Sequence, residues 1–281
     1  MKIEDPETFD FVWIHEDGDD LFVVSDLEYL GITLKSREDL LLMRQANLIA
    51  AAILQHLEKF IVPGITTEDI NREVEKRIHL SEGTSAMLGY PVGGCPWPAV
   101  VCASVNEEVG HGIPKKQVLV EGDIVGIDLC IDYKGWKADT ARTYPVGRVS
   151  DLATRLIETT RSALYAGIAK MVPGNSLADI SRSVQDCAEA GGFSLVRDYT
   201  GHGIGRKIHE PPSLHNYFSS TNNKVQLVPG MVLALEPMVN AGTWKISHRG
   251  QTIVTKDGSL SAHFEHSVAI TEDGPWILSE L

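Results

Sequence analysis

The sequence predicts an α/β chain made of two similar halves with a site at their junction, and three internal matches carry that prediction. Val62-Pro63-Gly64 through Asp69-Ile70 returns 110 residues later as Val172-Pro173-Gly174 through Asp179-Ile180. Val120 to Asp128 returns 108 residues later as Val228 to Glu236, and Gly110-His111-Gly112-Ile113 returns 91 residues later as Gly201-His202-Gly203-Ile204. Each match is short and weak by itself. Three in the same order point to a duplicated α/β unit whose copies relate by a pseudo-twofold axis.

The chain has 281 residues, 43% hydrophobic and 22% charged, enough to bury a sizeable core. Its longest apolar stretch, Leu48 to Leu54, is too short to span a bilayer. The acidic N-terminus lacks the basic-then-apolar pattern of a secretory signal, so the cytoplasm is expected and no membrane is. Cys95, Cys102, Cys130 and Cys187 show no CxxC spacing and are expected to be reduced packing thiols. A net charge of −13 argues against a broad nucleic-acid surface.

Residues 1–34 hold ten acids against Lys2 and His15, interleaved with aromatic and aliphatic residues, and read as an extension that docks on the main body, residues 35–281. From Ser36 the pattern becomes helical. Ser36 and Asp39 form a capping box, apolar residues recur at helical spacing to Ile61, and Pro63-Gly64 stops the run. Thr66 or Thr67 then caps a second helix to about His79. The second half repeats this: a helix from Asp151 stops at Pro173-Gly174, and Ser176 opens another to about Ala190.

Val120 to Thr143 reads as a β-hairpin. Ile124 to Ile131 is apolar apart from Asp128, and Asp132-Tyr133-Lys134-Gly135 forms a tight turn. With Tyr133 and Lys134 as the loop, Asp128 pairs directly with Asp139. Two like charges held opposite one another destabilise a ribbon unless a cation sits between them. Two solvated acids on an ordinary hairpin and a divalent-cation site both remain open at this point.

The second half adds donors. Gly201-His202-Gly203-Ile204-Gly205 cannot be helix interior, so His202 is expected on irregular backbone, with His209 seven residues on. Either histidine could simply be a solvated or hydrogen-bonding loop residue. Glu236 ends the apolar run Val232 to Leu235, and Glu265 interrupts another in His263 to Ile270. Buried carboxylates without partners are costly, so such positions ask for a metal or paired bases. Asp128, Asp139, His202, Glu236 and Glu265 offer too many hard oxygen donors for a structural zinc. They suit two divalent ions about 3.5–4 Å apart sharing bridging carboxylates, with a hydroxide between them. HExxH, GxxxxGK[ST], EF-hand, GxSxG and GxGxxG patterns are all absent.

Those five residues, with VNEEVGHGIP, TGHGIG, LEPMVNAG and SLSAHFEH around them, closely resemble the type I methionine aminopeptidases from about Lys35 to Leu278. The resemblance implies the pita-bread fold, curved antiparallel sheet backed by helices, and removal of initiator methionine before a small second residue. It implies two divalent ions (Co, Mn, Fe or Zn) held by the five ligands, with Asp128 chelating one and Asp139 and Glu265 bridging. A hydroxide between the ions would attack, with Glu236 relaying its proton. His111 and His209 would bind the substrate carbonyl or scissile nitrogen, and Asn106, the Glu108 carbonyl and Ser261 would hold a monovalent cation. The implied partner is a peptide or nascent-chain N-terminus, with the ribosome behind it, and the chain is expected to act as a monomer.

In the methionine pocket Tyr90 matches the family, while Met87 stands for a cysteine, Ile208 for an aromatic residue and Gln251 for a tryptophan. The longer loop after Tyr90 places Cys95 and Trp97 where they would either pack over the methionine pocket or simply cover the core. Only 34 residues separate His202 from Glu236, which leaves no room for the helical insertion of the type II enzymes. Xaa-Pro peptidases share the five ligands but usually carry a large N-terminal domain. They are the alternative enzyme reading, and a non-catalytic binding module of the same fold is the alternative class.

Overall fold

A computed structural model describes Leu27, residues 30–219 and residues 225–281. Four helices carry the helical signals of the sequence: α1 (Arg37–Phe60), α2 (Thr67–His79), α3 (Asp151–Ile168) and α4 (Leu177–Ala190). Ser36 and Asp39 cap α1 reciprocally. Thr66 and Ser176 stand at the N-caps of α2 and α4, where Asp69 and Asp179 accept from the cap backbone N–H at 2.8 Å in both cases. Such caps stabilise a helix by about 1 kcal/mol each.

The duplication persists at the level of single hydrogen bonds. Gly64 donates to the Leu119 carbonyl at 2.8 Å, and its counterpart Gly174 to Leu227 at 3.0 Å. The isolated bridges Thr66 to Val118 and Ser176 to Gln226 repeat the same offsets. Gly64 and Gly174 adopt φ of 100° and 88°, the left-handed turn that lets the chain reverse in the same way after both first helices, which end at Phe60 and Ile168.

Strands Ile124–Tyr133 and Trp136–Pro145 form the central hairpin of the first half, flanked by Cys102–Val105 and Thr84–Ser85. Ile127, Leu129 and Ile131 join Ala50, Ile53 and Leu57 of α1 in one buried cluster. The second half has a five-stranded antiparallel sheet: Glu210–His215, Thr200–Gly203, Val232–Leu235, His266–Thr271 and Gly274–Ile277, in that order. Its cluster combines Leu164 and Ile168 of α3 with Ile180 and Val184 of α4, Leu233 and Leu235. By length and composition α1 could cross a membrane, but it is half buried and forms the core of the first half.

A seam joins the halves. Ala141 bridges Glu265, Thr140 Oγ1 donates to the Glu265 carbonyl at 2.8 Å, and Ser267 Oγ donates to the Asp139 carbonyl at 2.8 Å. From the N-terminal extension, Leu27 and Ile32 are buried in the second-half cluster, and Lys35 N donates to Gly230. The expected docking of residues 1–26, 28 and 29 lies outside the described residues.

The structure corrects two expectations. The hairpin loop is Lys134-Gly135, at φ 52° and 81°, with Gly135 N–H bonded to Asp132 Oδ1. Two positive φ values suit the twist of a two-residue hairpin. The register therefore slips by two, pairing Asp128 with Ala141 and Cys130 with Asp139. Because side chains alternate with period two, the slip keeps both aspartates on one face, as diagonal neighbours. His202 lies within strand Thr200–Gly203 and not on irregular backbone. Its flanking glycines serve close strand approach: a Cβ at Gly201 would meet the Ala234 carbonyl oxygen at 2.3 Å, and one at Gly203 the Pro211 oxygen at 2.1 Å. Gly201→Ala is therefore expected to cost about 1–3 kcal/mol by overpacking. Urea denaturation measures this, and an unchanged midpoint would contradict it.

Candidate metal centre

A cavity of about 240 Å³ opens where the halves meet, and Asp128, Asp139, His202, Glu236 and Glu265 all line it. Asp128 projects from the first hairpin strand and Asp139 from the second. Glu236 follows directly on strand Val232–Leu235, and Glu265 sits at the break between Ser261–His263 and His266–Thr271. Donor atoms of Asp139, His202 and Glu265 lie within 4.8 Å of one another, as do those of Asp128, Cys130 and Asp139. His202 Nε2 stands 3.5 Å from Glu236 Oε1 and 3.8 Å from Asp139 Oδ2.

The electrostatics ask for positive charge. Burial pushes the Asp128 carboxyl up to about 7. Burial first, then the Asp128 charge, raises Asp139. Burial and the neighbouring aspartates raise Glu236, and burial with Asp139, Glu236 and Asp128 raises Glu265. Asp128 Oδ1 and Glu265 Oε1 are buried without any hydrogen-bond partner. Orphaned acceptors among crowded carboxylates fit a divalent cation. His202 Nδ1–H donates to the Gly203 carbonyl at 2.9 Å, which leaves Nε2 as a free lone pair facing the carboxylates. Burial, then His209, lowers the His202 pKa to about 4, the neutral state that a metal ligand needs.

Around this floor the cavity wall is apolar and aromatic: Met87, Tyr90, Pro91, Val92, Trp97 and Ile208. Tyr90 Oη lies 2.6 Å from His209 Nδ1, and the His202 and His209 rings are 4.3 Å apart. His111 packs between Trp97 and Tyr199, with ring centroids 5.9 Å away on each side. Its φ of 51° is strained for a residue with a side chain, and such strain collects at functional positions. Burial lowers the pKa of both His111 and His209, and at His111 the neighbouring His209 and His248 act in the same direction.

Gln251 lies outside the lining, and its Nε2 donates to the Val92 carbonyl at 2.8 Å, holding the rim strand. Trp97 is buried as expected, whereas Cys95 is exposed at the turn of the Pro91–Val92 and Cys95–Pro96 hairpin. Asn106 accepts from Ser261 N–H at 2.9 Å, and its carboxamide bridges Asp123 and Ile124 N. The Glu108 carboxylate is tied to Lys115 Nζ at 2.9 Å and to Val105 N–H.

Three residues of the site were not singled out from the sequence. His263 Nε2 lies 4.0 Å from Glu236 Oε2, its pKa pushed down to about 3 by burial and His111. Cys130 donates to Asp139 Oδ1 at 3.0 Å, and Cys102 pairs with Asp128 across strands. The alternation rule carries the signal for two of them, since Cys130 is two residues from Asp128 and His263 two from Glu265.

The profile of metallopeptidase family M24 spans residues 41–272. A methionine aminopeptidase from Clostridium acetobutylicum is 44% identical over 251 residues, covering 88% of this chain and 98% of that one. The crystal structure of methionine aminopeptidase from Thermotoga maritima superposes with a TM-score of 0.84 at 40% identity, covering 89% of this chain and all of the other (100%). An Xaa-Pro dipeptidase from Bacillus anthracis shares the fold at 23% identity and TM-score 0.71, the match covering 91% of this chain and 64% of that one.

The raised carboxylates set a pH dependence. An aspartate in an unfolded chain titrates near about 3.9, and Asp128 in the folded protein at about 7. Between these values the metal-free folded state holds a proton that the unfolded chain has lost, so its stability falls as pH rises through that window. A bound cation replaces such protons. Divalent-ion binding is therefore expected to release protons and to tighten from pH 5 to pH 7, and ligand at 100 times Kd to add about 2.7 kcal/mol. Calorimetry in buffers of different ionisation enthalpy measures the release, and a value of zero would contradict the account.

Proposed function

Because the chain belongs to the methionine aminopeptidases of metallopeptidase family M24, we propose that it removes the N-terminal methionine of peptides and nascent chains in the cytoplasm. The observation that carries this reading is the convergence of four carboxylates and His202 on the floor of an apolar-walled cavity. Two divalent ions, held by Asp128, Asp139, His202, Glu236 and Glu265, would supply Lewis acidity and a water of lowered pKa.

The remaining roles follow from the chain's own groups. Glu236 lines the cavity among the candidate ligands, where its carboxylate would accept the proton of the attacking water and return it to the leaving amine. Tyr90 Oη lies 2.6 Å from His209 Nδ1, and when its O–H donates there the tautomer is fixed with Nε2–H free to donate to substrate. Neutral His111 and His209 then present N–H donors to the scissile carbonyl or nitrogen, an arrangement worth about 3 kcal/mol per donor. Met87, Tyr90, Trp97 and Ile208 give an unbranched thioether a dry, polarizable wall. A crowded second residue would displace the carbonyl from this geometry, so small second residues are favoured. A monovalent cation at Asn106, the Glu108 carbonyl and Ser261 belongs to the same proposal, the Ser261 N–H bond to the Asn106 carbonyl bringing those two segments together.

Metal-stripped protein supplemented with Co²⁺, Mn²⁺, Fe²⁺ or Zn²⁺ is expected to release methionine from Met-Ala-Ser and to leave Ala-Pro peptides intact. Alanine release without methionine release would favour the Xaa-Pro reading, and no hydrolysis with any ion a binding module. Asp139→Asn and Glu236→Gln should abolish turnover while circular dichroism stays native. His111→Ala should lower kcat about 10²–10³-fold; a near-normal rate in any of these variants would refute the assigned role.

A further inference from the structure

We propose that Cys130 is a sixth protein ligand of the metal centre, giving the Asp128 side of the site a thiolate and with it a preference for thiophilic ions. The inference rests on the metal-centre reading above and adds a residue outside its five ligands. Cys130 is buried on the hairpin strand two residues after Asp128, so both side chains leave the same face. Its cross-strand partner is Asp139. The sulfur therefore lies beside one aspartate along the strand and the other across it.

The distances agree with a shared ion. One donor atom from each of Asp128, Cys130 and Asp139 falls within 4.8 Å of the other two. A second such triad, Asp139, His202 and Glu265, shares only Asp139 with the first. Cys130 thus belongs to the end of the centre that lacks the imidazole, and the two ends would differ as sulfur-containing and nitrogen-containing. Cys130 Sγ now donates its hydrogen to Asp139 Oδ1 at 3.0 Å, while Asp128 Oδ1 has no partner. A divalent ion entering between them takes the place of that hydrogen: the S–H proton passes to solvent, and a metal–sulfur bond forms. Cys102 is also buried and faces Asp128, yet its sulfur joins neither donor triad. Thiolate favours zinc and cobalt over manganese and magnesium, which take oxygen.

Anaerobic titration of the metal-free full chain with Co²⁺ tests this. Visible ligand-field bands report that cobalt is bound, and an intense near-ultraviolet sulfur-to-cobalt charge-transfer band reports a Co–S bond. Both are expected in the wild type. Cys130→Ser should lose the charge-transfer band and keep the visible bands, Cys102→Ser should keep both, and the zinc-over-manganese affinity ratio should fall at least about tenfold in Cys130→Ser, the lower end for a lost contact around a metal. X-ray absorption of the zinc-loaded wild type needs no variant and should show sulfur at about 2.3 Å beside lighter atoms at about 2.0–2.1 Å. Visible bands without the charge-transfer band, or a charge-transfer band that survives Cys130→Ser, would overturn the assignment and leave the metal centre standing. No cobalt bands at all would strike the metal-centre reading and this inference together.

Discussion

Four carboxylates share one buried space in this molecule, and their mutual repulsion is the constraint on which the arrangement of the site turns. Burial alone disfavours each charge, and each of Asp139, Glu236 and Glu265 is raised further by its neighbours. No Lys or Arg lines the cavity among the described residues. The protein meets the problem with protons or with cations, and it leaves acceptor atoms of Asp128 and Glu265 bare for the latter. A site built this way binds metal by exchange against protons, so the energetic cost of assembling it is largely offset when the ion enters.

The duplicated fold explains how such a cluster can be held without collapsing. Each half has its own main cluster, one around α1 and α2 and the other around α3 and α4, and a third cluster of Leu40, Met43 and Trp136 with Ile204, Val232, Ala269 and Leu278 packs the halves together. The carboxylates line a cavity to which both halves contribute. Across the seam the backbone is pinned by Thr140, Ser267 and Thr143, which bond to Glu265, Asp139 and His263 carbonyls. Arg44 of α1 adds bonds to the Ile277 and Leu278 carbonyls of the other half. The candidate ligands are thus carried by strands and strand ends whose positions are fixed by cores on both sides, the rigid support that a metal site needs.

The wall of the cavity departs from the residue types expected of the family, and the structure shows how the departures fit. Met87 and Ile208 both line the wall, and Trp97 from the longer loop closes it beside His111. Gln251 acts at one remove, bonding the Val92 carbonyl and so fixing the hairpin that forms the rim. Changes in wall chemistry are compatible with an unchanged floor because the two come from different elements.

Helix starts and stops, the duplication and the five candidate ligands were legible in the sequence, since each rests on local chemistry: capping boxes, Pro-Gly stops and carboxylates in apolar runs. Pairing Asp128 with Asp139 was wrong by two residues, because turn geometry at Lys134 and Gly135 sets the register and hydrophobic pattern is blind to a slip of two. The strand role of Gly201 and Gly203 was hidden for a different reason: glycine composition reads as loop, while the need for it comes from carbonyls of Ala234 and Pro211 that are distant in the chain. Cys130, Cys102 and His263 gain their importance only when the hairpin closes and the two halves meet. Residue order alone was enough to nominate five candidate metal ligands and to show which family the chain resembles. Tertiary structure decided which atoms crowd together, which acceptors are left bare and which sulfur stands among them, because those are distances between segments that only folding brings into contact.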